Sequence, residues 1–152
     1  MERLSSDDQD ELFELGEAAF ERLDRVDDDV SRLPLELAAF VRVYAAQGVI
    51  DNGGYPYFFE QDWPGRPSYR EFVSAYEAIG CKGQAAELDR IVDTFGFEDP
   101  HLHRELRTAF LEEHLDEETS EVQLWGDALC GDERVWVALL EHARQHRALF
   151  ES

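Results

Sequence analysis

From Leu35 to Ile50 only Glu36, Arg42 and Gln47 interrupt an otherwise apolar stretch. A helix covered with apolar groups on nearly all sides cannot lie on a surface, so the remainder of the chain has to be built around it. Pro34 suits its first turn, where a missing N–H costs nothing. The stretch runs into Asp51-Asn52-Gly53-Gly54 and then Tyr55-Pro56-Tyr57-Phe58-Phe59. Two glycines after an Asn admit positive φ, which side chains penalise, so the sequence predicts a sharp elbow at Asn52, Gly53 and Gly54. The aromatic run beyond it is too dense to sit in water. The functional alternative at this place is a small polar pocket framed by Asn52, Tyr55, Tyr57 and Trp63.

The other segments read as amphipathic helices. Ser6-Asp7-Asp8-Gln9 has the form of a capping box and opens the first. Leu12, Leu15, Gly16, Ala19, Leu23 and Val26 recur at helical spacing, with Phe13 and Phe20 widening the stripe. At 100° per residue Asp7, Asp10, Glu11, Glu14, Glu17, Glu21, Asp24 and Asp28 fall on the opposite face. Asp27-Asp28-Asp29 opposes the dipole at a helix C-terminus, so the helix should stop there. Ser68 to Glu71 forms another capping box, followed by the stripe Tyr69, Phe72, Val73, Tyr76 and Ile79 and a left-handed cap at Gly80. Ala85, Leu88, Ile91, Val92 and Phe95 make the next stripe, closed by Gly96. Asp99-Pro100 predicts an N-cap with proline behind it, and Leu102, Leu106, Ala109 and Phe110 facing inward. Glu112, Glu113, Asp116, Glu117, Glu118 and Glu121 are a second acidic concentration. Val122, Leu124, Trp125 and Leu129 mark a short helix, and Trp136, Leu139, Leu140, Ala143 and Phe150 line the last. No segment alternates with period two and no repeat is evident. The expected fold is all-α, one domain over residues 1–152 with roughly seven or eight helices.

The charge balance narrows the partners. With 35 Asp and Glu against 14 Lys and Arg, the formal net charge is -21. Such a field repels nucleic-acid phosphate, so direct nucleic-acid binding is not expected, whereas a basic protein surface is attracted. Solubility or salt adaptation would also account for the excess. Nothing approaches the length of a membrane span, and the acidic N-terminal residues carry no signal region, so the expectation is a cytoplasmic protein. Cys81 and Cys130 form no metal knuckle or disulfide framework.

Catalytic patterns are missing. There is no Walker loop, G-x-G-x-x-G, G-x-S-x-G or H-E-x-x-H. His142 and His146 stand four apart, but with Arg144 and Arg147 beside them they read as cations complementing a helix C-terminus rather than as metal ligands. No metal or cofactor is expected. Arg42 is the one charge expected to be buried, with Glu36, Glu77 or Glu105 as its partner.

The block from Val49 to Phe59, followed by Glu77-Ala78-Ile79-Gly80 and the Ala85-Ala86 helix, resembles a bacterial family of small all-helical proteins. That family is named after a DNA-mimic protein first described in Neisseria. The likeness covers roughly Leu35 to Phe110. It departs from the family pattern at Tyr57, where Gln is usual, and at Gln61, where Asn is usual. The resemblance implies an all-α fold and an acidic surface that occupies the DNA-binding face of a transcription factor. The resulting expectation is a non-enzymatic domain whose two acidic segments, Asp7–Asp29 (Asp7, Asp10, Glu11, Glu14, Glu17, Glu21 and Asp24 forming the binding surface) and Glu112–Glu121, lie on one face and bind a basic DNA-binding protein; a homodimer is compatible with it. The alternatives are an acidic or salt-adapted domain without mimicry, and a ligand-binding protein or enzyme using the aromatic pocket near Asn52.

Overall fold

The computed structural model describes residues 4–63, 65–115 and 133–151. Its helices are α1 (Ser6–Arg25), α2 (Leu35–Glu60), α3 (Tyr69–Ala78), α4 (Lys82–Asp93), α5 (Arg104–Leu115), α6 (Glu133–Gln145) and α7 (Arg147–Glu151), with 3-10 turns at Val30–Arg32 and Pro100–Leu102. No strand occurs among the described residues, and the fold is all-α as expected. None of these helices is long and apolar enough to cross a membrane.

Helix α1 buries Leu12, Leu15, Gly16, Ala19 and Leu23, the stripe that the helical period defines. It starts one residue earlier than predicted. Ser5 is the N-cap: its hydroxyl accepts the Asp8 N–H at 3.1 Å, and the Asp8 carboxylate accepts the Ser5 N–H at 3.3 Å. A carboxylate closes the box as an amide would and also complements the positive helix end. Phe13 does not join the stripe and is 59% exposed. It lies roughly 100° around the helix from the centre of the buried face. Beyond Arg25 the chain turns at Asp27 and Asp28, whose φ values of 58° and 62° are left-handed. The Asp28 N–H returns to the Leu23 carbonyl at 3.0 Å, a closure glycine usually makes and short polar side chains tolerate.

Helix α2, 26 residues and about 39 Å long, packs against α1, α3, α5 and α6. Contrary to the sequence expectation, no elbow forms at Asn52, Gly53 and Gly54. Residues 51–56 are helical, and the left-handed glycines among the described residues are Gly65, Gly80 and Gly96. The Asn52 amide donates to the Gly48 carbonyl at 3.0 Å, one turn back along the same helix. Two glycines and Pro56 together cost the helix about 5 kcal/mol on intrinsic propensity. Against that stand Phe58 and Phe59, both fully buried. Burying two such rings contributes about 3–6 kcal/mol. Phe58 further contacts Trp63, Tyr69 and Phe72, and Phe59 contacts Tyr69 and Phe95, at centroid distances of 5.0–5.7 Å. Each ring pair adds about 0.5–1.5 kcal/mol. Packing therefore outweighs local preference.

Helices α3 and α4 bury Tyr69, Phe72, Val73, Tyr76, Ala85, Leu88 and Ile91 as the periodicity requires. Gly80 and Gly96 close them at φ 90° and 74°. Ser68 holds the N-cap position of α3, although its side chain makes no capping bond.

Of the inward face expected in helix α5, Phe110 alone packs on the core, 5.0 Å from the Phe95 ring. Leu102 and Leu106 are 46% and 50% exposed and Ala109 is exposed, whereas Arg107 and Leu111 are buried. Asp99 is no side-chain N-cap: it adopts φ 50°, Pro100–Leu102 form the 3-10 turn, and α5 begins only at Arg104. The shift of face follows from Arg107, which reaches the end of α2. No basic residue occupies the last turn of α2, so its final carbonyls need donors from elsewhere. Arg107 donates to the Phe59 carbonyl at 2.9 Å, the Gln61 carbonyl at 3.3 Å and the Pro100 carbonyl at 2.6 Å. It also donates to the Asp62 carboxylate at 2.8 Å. The Trp63 indole N–H meets the Phe58 carbonyl at 3.3 Å.

In the C-terminal helices Leu139, Leu140, Ala143 and Phe150 are buried and Trp136 is half-buried. His142 is not a cation at a helix end. It is buried, its Nε2 lies 2.8 Å from the Glu36 carbonyl, and burial lowers its pKa so that the neutral ring donates there. Gln47 links α2 to its neighbours from inside the core: it accepts from the Tyr76 hydroxyl at 2.9 Å and donates to Asp51 at 2.8 Å. Trp136 of α6 donates to the other Asp51 oxygen at 2.8 Å.

Candidate functional site

The exposed side of α1 carries the site. Asp7, Asp10, Glu14, Glu17, Glu21 and Asp24 are all exposed, and at 100° per residue they occupy an arc of roughly 100° opposite the buried stripe. Asp27, Asp28 and Asp29 continue the row around the turn, and all three are exposed. Among the described residues, ion pairs reach this row only at Asp27, whose carboxylate lies 3.8 Å from Arg32.

Glu11 departs from the expected row. Together with Asp8 it faces the C-terminal helices: Arg144 donates to Glu11 at 2.7 and 3.0 Å and to Asp8 at 2.8 Å, and Arg147 donates to Glu11 at 2.6 Å. The bond from Arg144, then those with Ser5, hold the Asp8 carboxyl below its ordinary pKa. Arg144 does the same to Glu11, and the two carboxylates raise the Arg144 guanidinium in return. On the same flank Arg22 donates to the Leu149 carbonyl at 2.5 Å. Arg22, Arg144 and Arg147 are thus drawn to the inner flank of α1, whereas Arg25 is exposed at the edge of the outer arc, four residues after Glu21, and dilutes its negative charge.

The six α1 carboxylates are spread over about 26 Å of helix, or about one per 5 Å. A single strand of duplex DNA carries one charge per ~3.4 Å and both strands together one per ~1.7 Å. The α1 row is therefore sparser than one strand. Of the second acidic segment, Glu112 is exposed at the end of α5 and Glu113 lies in the same helix. Asp116, Glu117, Glu118 and Glu121 lie outside the described residues.

The polar pocket considered around Asn52 does not assemble from Asn52, Tyr57 and Trp63. Asn52 is exposed and bound to its own helix, Tyr57 is 45% exposed, and Trp63 instead lines a different cleft. That cleft has a volume of about 690 Å³ and lies between the C-terminal end of α1, the α2 surface and the α2–α3 connection. Arg42 is among its lining residues and is 17% exposed, and it pairs with Glu71 at 3.6 Å in place of Glu36, Glu77 or Glu105. Glu71 stands in the first turn of α3, which packs against α2. The Arg42 Nε is buried without a hydrogen-bond partner. Arg107, not Arg42, is the fully buried cation. Its clue in sequence is indirect: a long apolar helix ending without a basic last turn needs a donor from another element.

No group of three His, Cys, Asp or Glu among the described residues could hold a metal ion. What the structure defines is an all-α domain with a bare acidic helix face and one cleft beside its end. The chain belongs to the DMP19-like protein family, whose model matches residues 31–146. The match begins after α1, so the α1 carboxylate row is a property of this chain's own residues outside the matched segment. No curated protein and no solved structure matches the chain.

Proposed function

We propose that this protein is a non-enzymatic acidic interaction domain that presents the outer face of α1 to the basic, DNA-binding surface of a partner protein. The observation that carries the reading is the segregation of charge on α1. Asp7, Asp10, Glu14, Glu17, Glu21 and Asp24 point outward, while Asp8 and Glu11 take the arginines of the C-terminal helices. Family membership supports it, since the DMP19-like family is the DNA-mimic family. Because the row is sparser than one DNA strand, a second acidic row is needed for close mimicry, and Glu112–Glu121 is the segment that would supply it.

Exposed opposite charges attract over ~10 Å at 0.1 M salt and are screened beyond that, so binding should fall steeply as salt rises. The test is affinity capture from source lysate at low and then moderate salt, with the parent protein and with the variant Glu14→Lys, Glu17→Lys, Glu21→Lys. A basic DNA-binding protein retained by the parent at low salt and lost by the variant supports the reading. Equal retention by both proteins, with helical circular dichroism intact, refutes it.

A further inference from the structure

The acidic row ends at a cleft lined by Asp27, Asp28 and Asp29. Its walls are largely apolar, with the rings of Phe20, Trp63 and Phe72 facing it, and its volume of about 690 Å³ falls in the range of ligand-binding pockets. Arg42 is the cation among its lining residues, and its Nε–H is buried out of reach of an occupant. The rim has the opposite character. Asp27, Asp28, Asp29 and Glu71 are among the lining residues; Arg32 lies 3.8 Å from Asp27 and Arg42 3.6 Å from Glu71, so the carboxylates outnumber the guanidiniums that meet them by four to two. An anionic ligand would meet that rim unfavourably, whereas a cationic segment would complement it.

We propose that the cleft is the anchor site for a basic peptide segment of the partner protein. An apolar or aromatic side chain fills the cleft, and flanking lysines or arginines meet Asp28, Asp29 and Glu71. This deepens the interaction reading and rests on it. It adds a desolvated anchor to a charged face, the arrangement in which a few buried contacts carry most of the affinity while the charged rim sets approach and specificity. It also distinguishes this surface from a uniform imitation of DNA, because a phosphate backbone offers no hole for a side chain.

The probe is a synthetic peptide, Lys-Lys-Ala-Phe-Ala-Lys-Lys, with two controls, one with Ala for Phe and one with Glu for every Lys. The full-length protein is titrated with each at 0.15 M salt, reading peptide fluorescence anisotropy and the indole N–H resonance of Trp63, assigned through Trp63→Phe. The expected result is saturable binding of the Phe peptide with a shift of the Trp63 resonance. Binding should be at least tenfold weaker for either control. Ala45 lines the cleft, so Ala45→Trp should fill it and reduce binding of the Phe peptide at least tenfold. Asp28→Asn with Asp29→Asn should reduce it about threefold or more, since Asn keeps the left-handed turn at Asp28 while removing the charge. Asp7→Asn with Asp10→Asn, at the far end of α1 and more than a Debye length away, should leave peptide binding unchanged while weakening capture of the partner. No shift of Trp63 in the parent protein, tighter binding of the Glu peptide, or equal binding by a folded Ala45→Trp variant overturns the anchor site. If the peptide result holds while capture is indifferent to Asp7 and Asp10, the anchor stands and the α1 reading falls.

Discussion

Replacing Arg107 with Met keeps most of the side-chain volume but removes every donor. Three carbonyl oxygens, those of Phe59, Gln61 and Pro100, then lose the guanidinium, and the Asp62 carboxylate loses its 2.8 Å partner. A hydrogen bond from a charged donor contributes about 1.5–3 kcal/mol, but four made by one group do not add. Breaking a buried charged pair by deleting one partner costs about 3–5 kcal/mol, and that is the expected loss. For a chain of this size 1 kcal/mol corresponds to about 2–4 °C in Tm, so the midpoint should drop by about 6–20 °C. Arg107→Lys should recover only part of the loss, because an ammonium cannot span three carbonyls and a carboxylate as the planar fork does. Thermal unfolding followed by circular dichroism, with urea titration alongside, measures both. A loss below about 1 kcal/mol for Arg107→Met would show that water satisfies the end of α2 and that Arg107 does not set the face of α5.

Two glycines of helical segments should respond in opposite directions. A Cβ at Gly48 meets nothing within 4 Å, so Gly48→Ala should stabilise by about 0.5–1 kcal/mol in a urea titration. A Cβ at Gly16 would lie 2.8 Å from the Tyr44 ring, which is packed against Phe20, Phe40 and Trp136, so Gly16→Ala should cost about 1–3 kcal/mol. The pH dependence should have two branches. His142 has its folded pKa lowered by burial, so its contribution is complete above the unfolded value near ~6.5 and is lost as pH falls toward the folded value. Asp8 and Glu11, lowered by their bonds to Arg144, contribute above about pH 4 and lose that contribution on further acidification. His142→Gln should flatten the first branch in a Tm-versus-pH series and leave the second unchanged.

The helical faces of α1, α3 and α4 were legible because each turns one stripe to one neighbour, which is the case a 3.6-residue period describes. Helix α2 defeated that logic. Buried on most sides, it has no stripe whose phase could show that it continues through Gly53, Gly54 and Pro56, and the local turn chemistry was outweighed by the burial of Phe58 and Phe59. Around α5 two stripes compete in the sequence: Leu102, Leu106 and Ala109 fit the period as well as Arg107 and Leu111 do, although Leu102 falls in the 3-10 turn before the helix. What chose between them was the need for donors at the end of a helix some 45 residues away, as in the Arg107–Asp62 bond. The same long-range origin explains Glu71 beside Arg42 and Glu36 beside His142. The acidic row was visible residue by residue, except that sequence alone did not show Arg144 and Arg147 claiming Glu11.

The central claim is that the outer face of α1 occupies the surface a partner uses for DNA. The most direct measurement is competition. A captured partner is loaded on a labelled duplex at low salt, and the parent protein or the variant Glu14→Lys, Glu17→Lys, Glu21→Lys is titrated in while DNA release is followed by anisotropy. The account predicts that the parent displaces the duplex completely and that the variant displaces it at least tenfold less well. A ternary complex in which partner, duplex and parent protein coexist, or equal displacement by the folded variant, would contradict it.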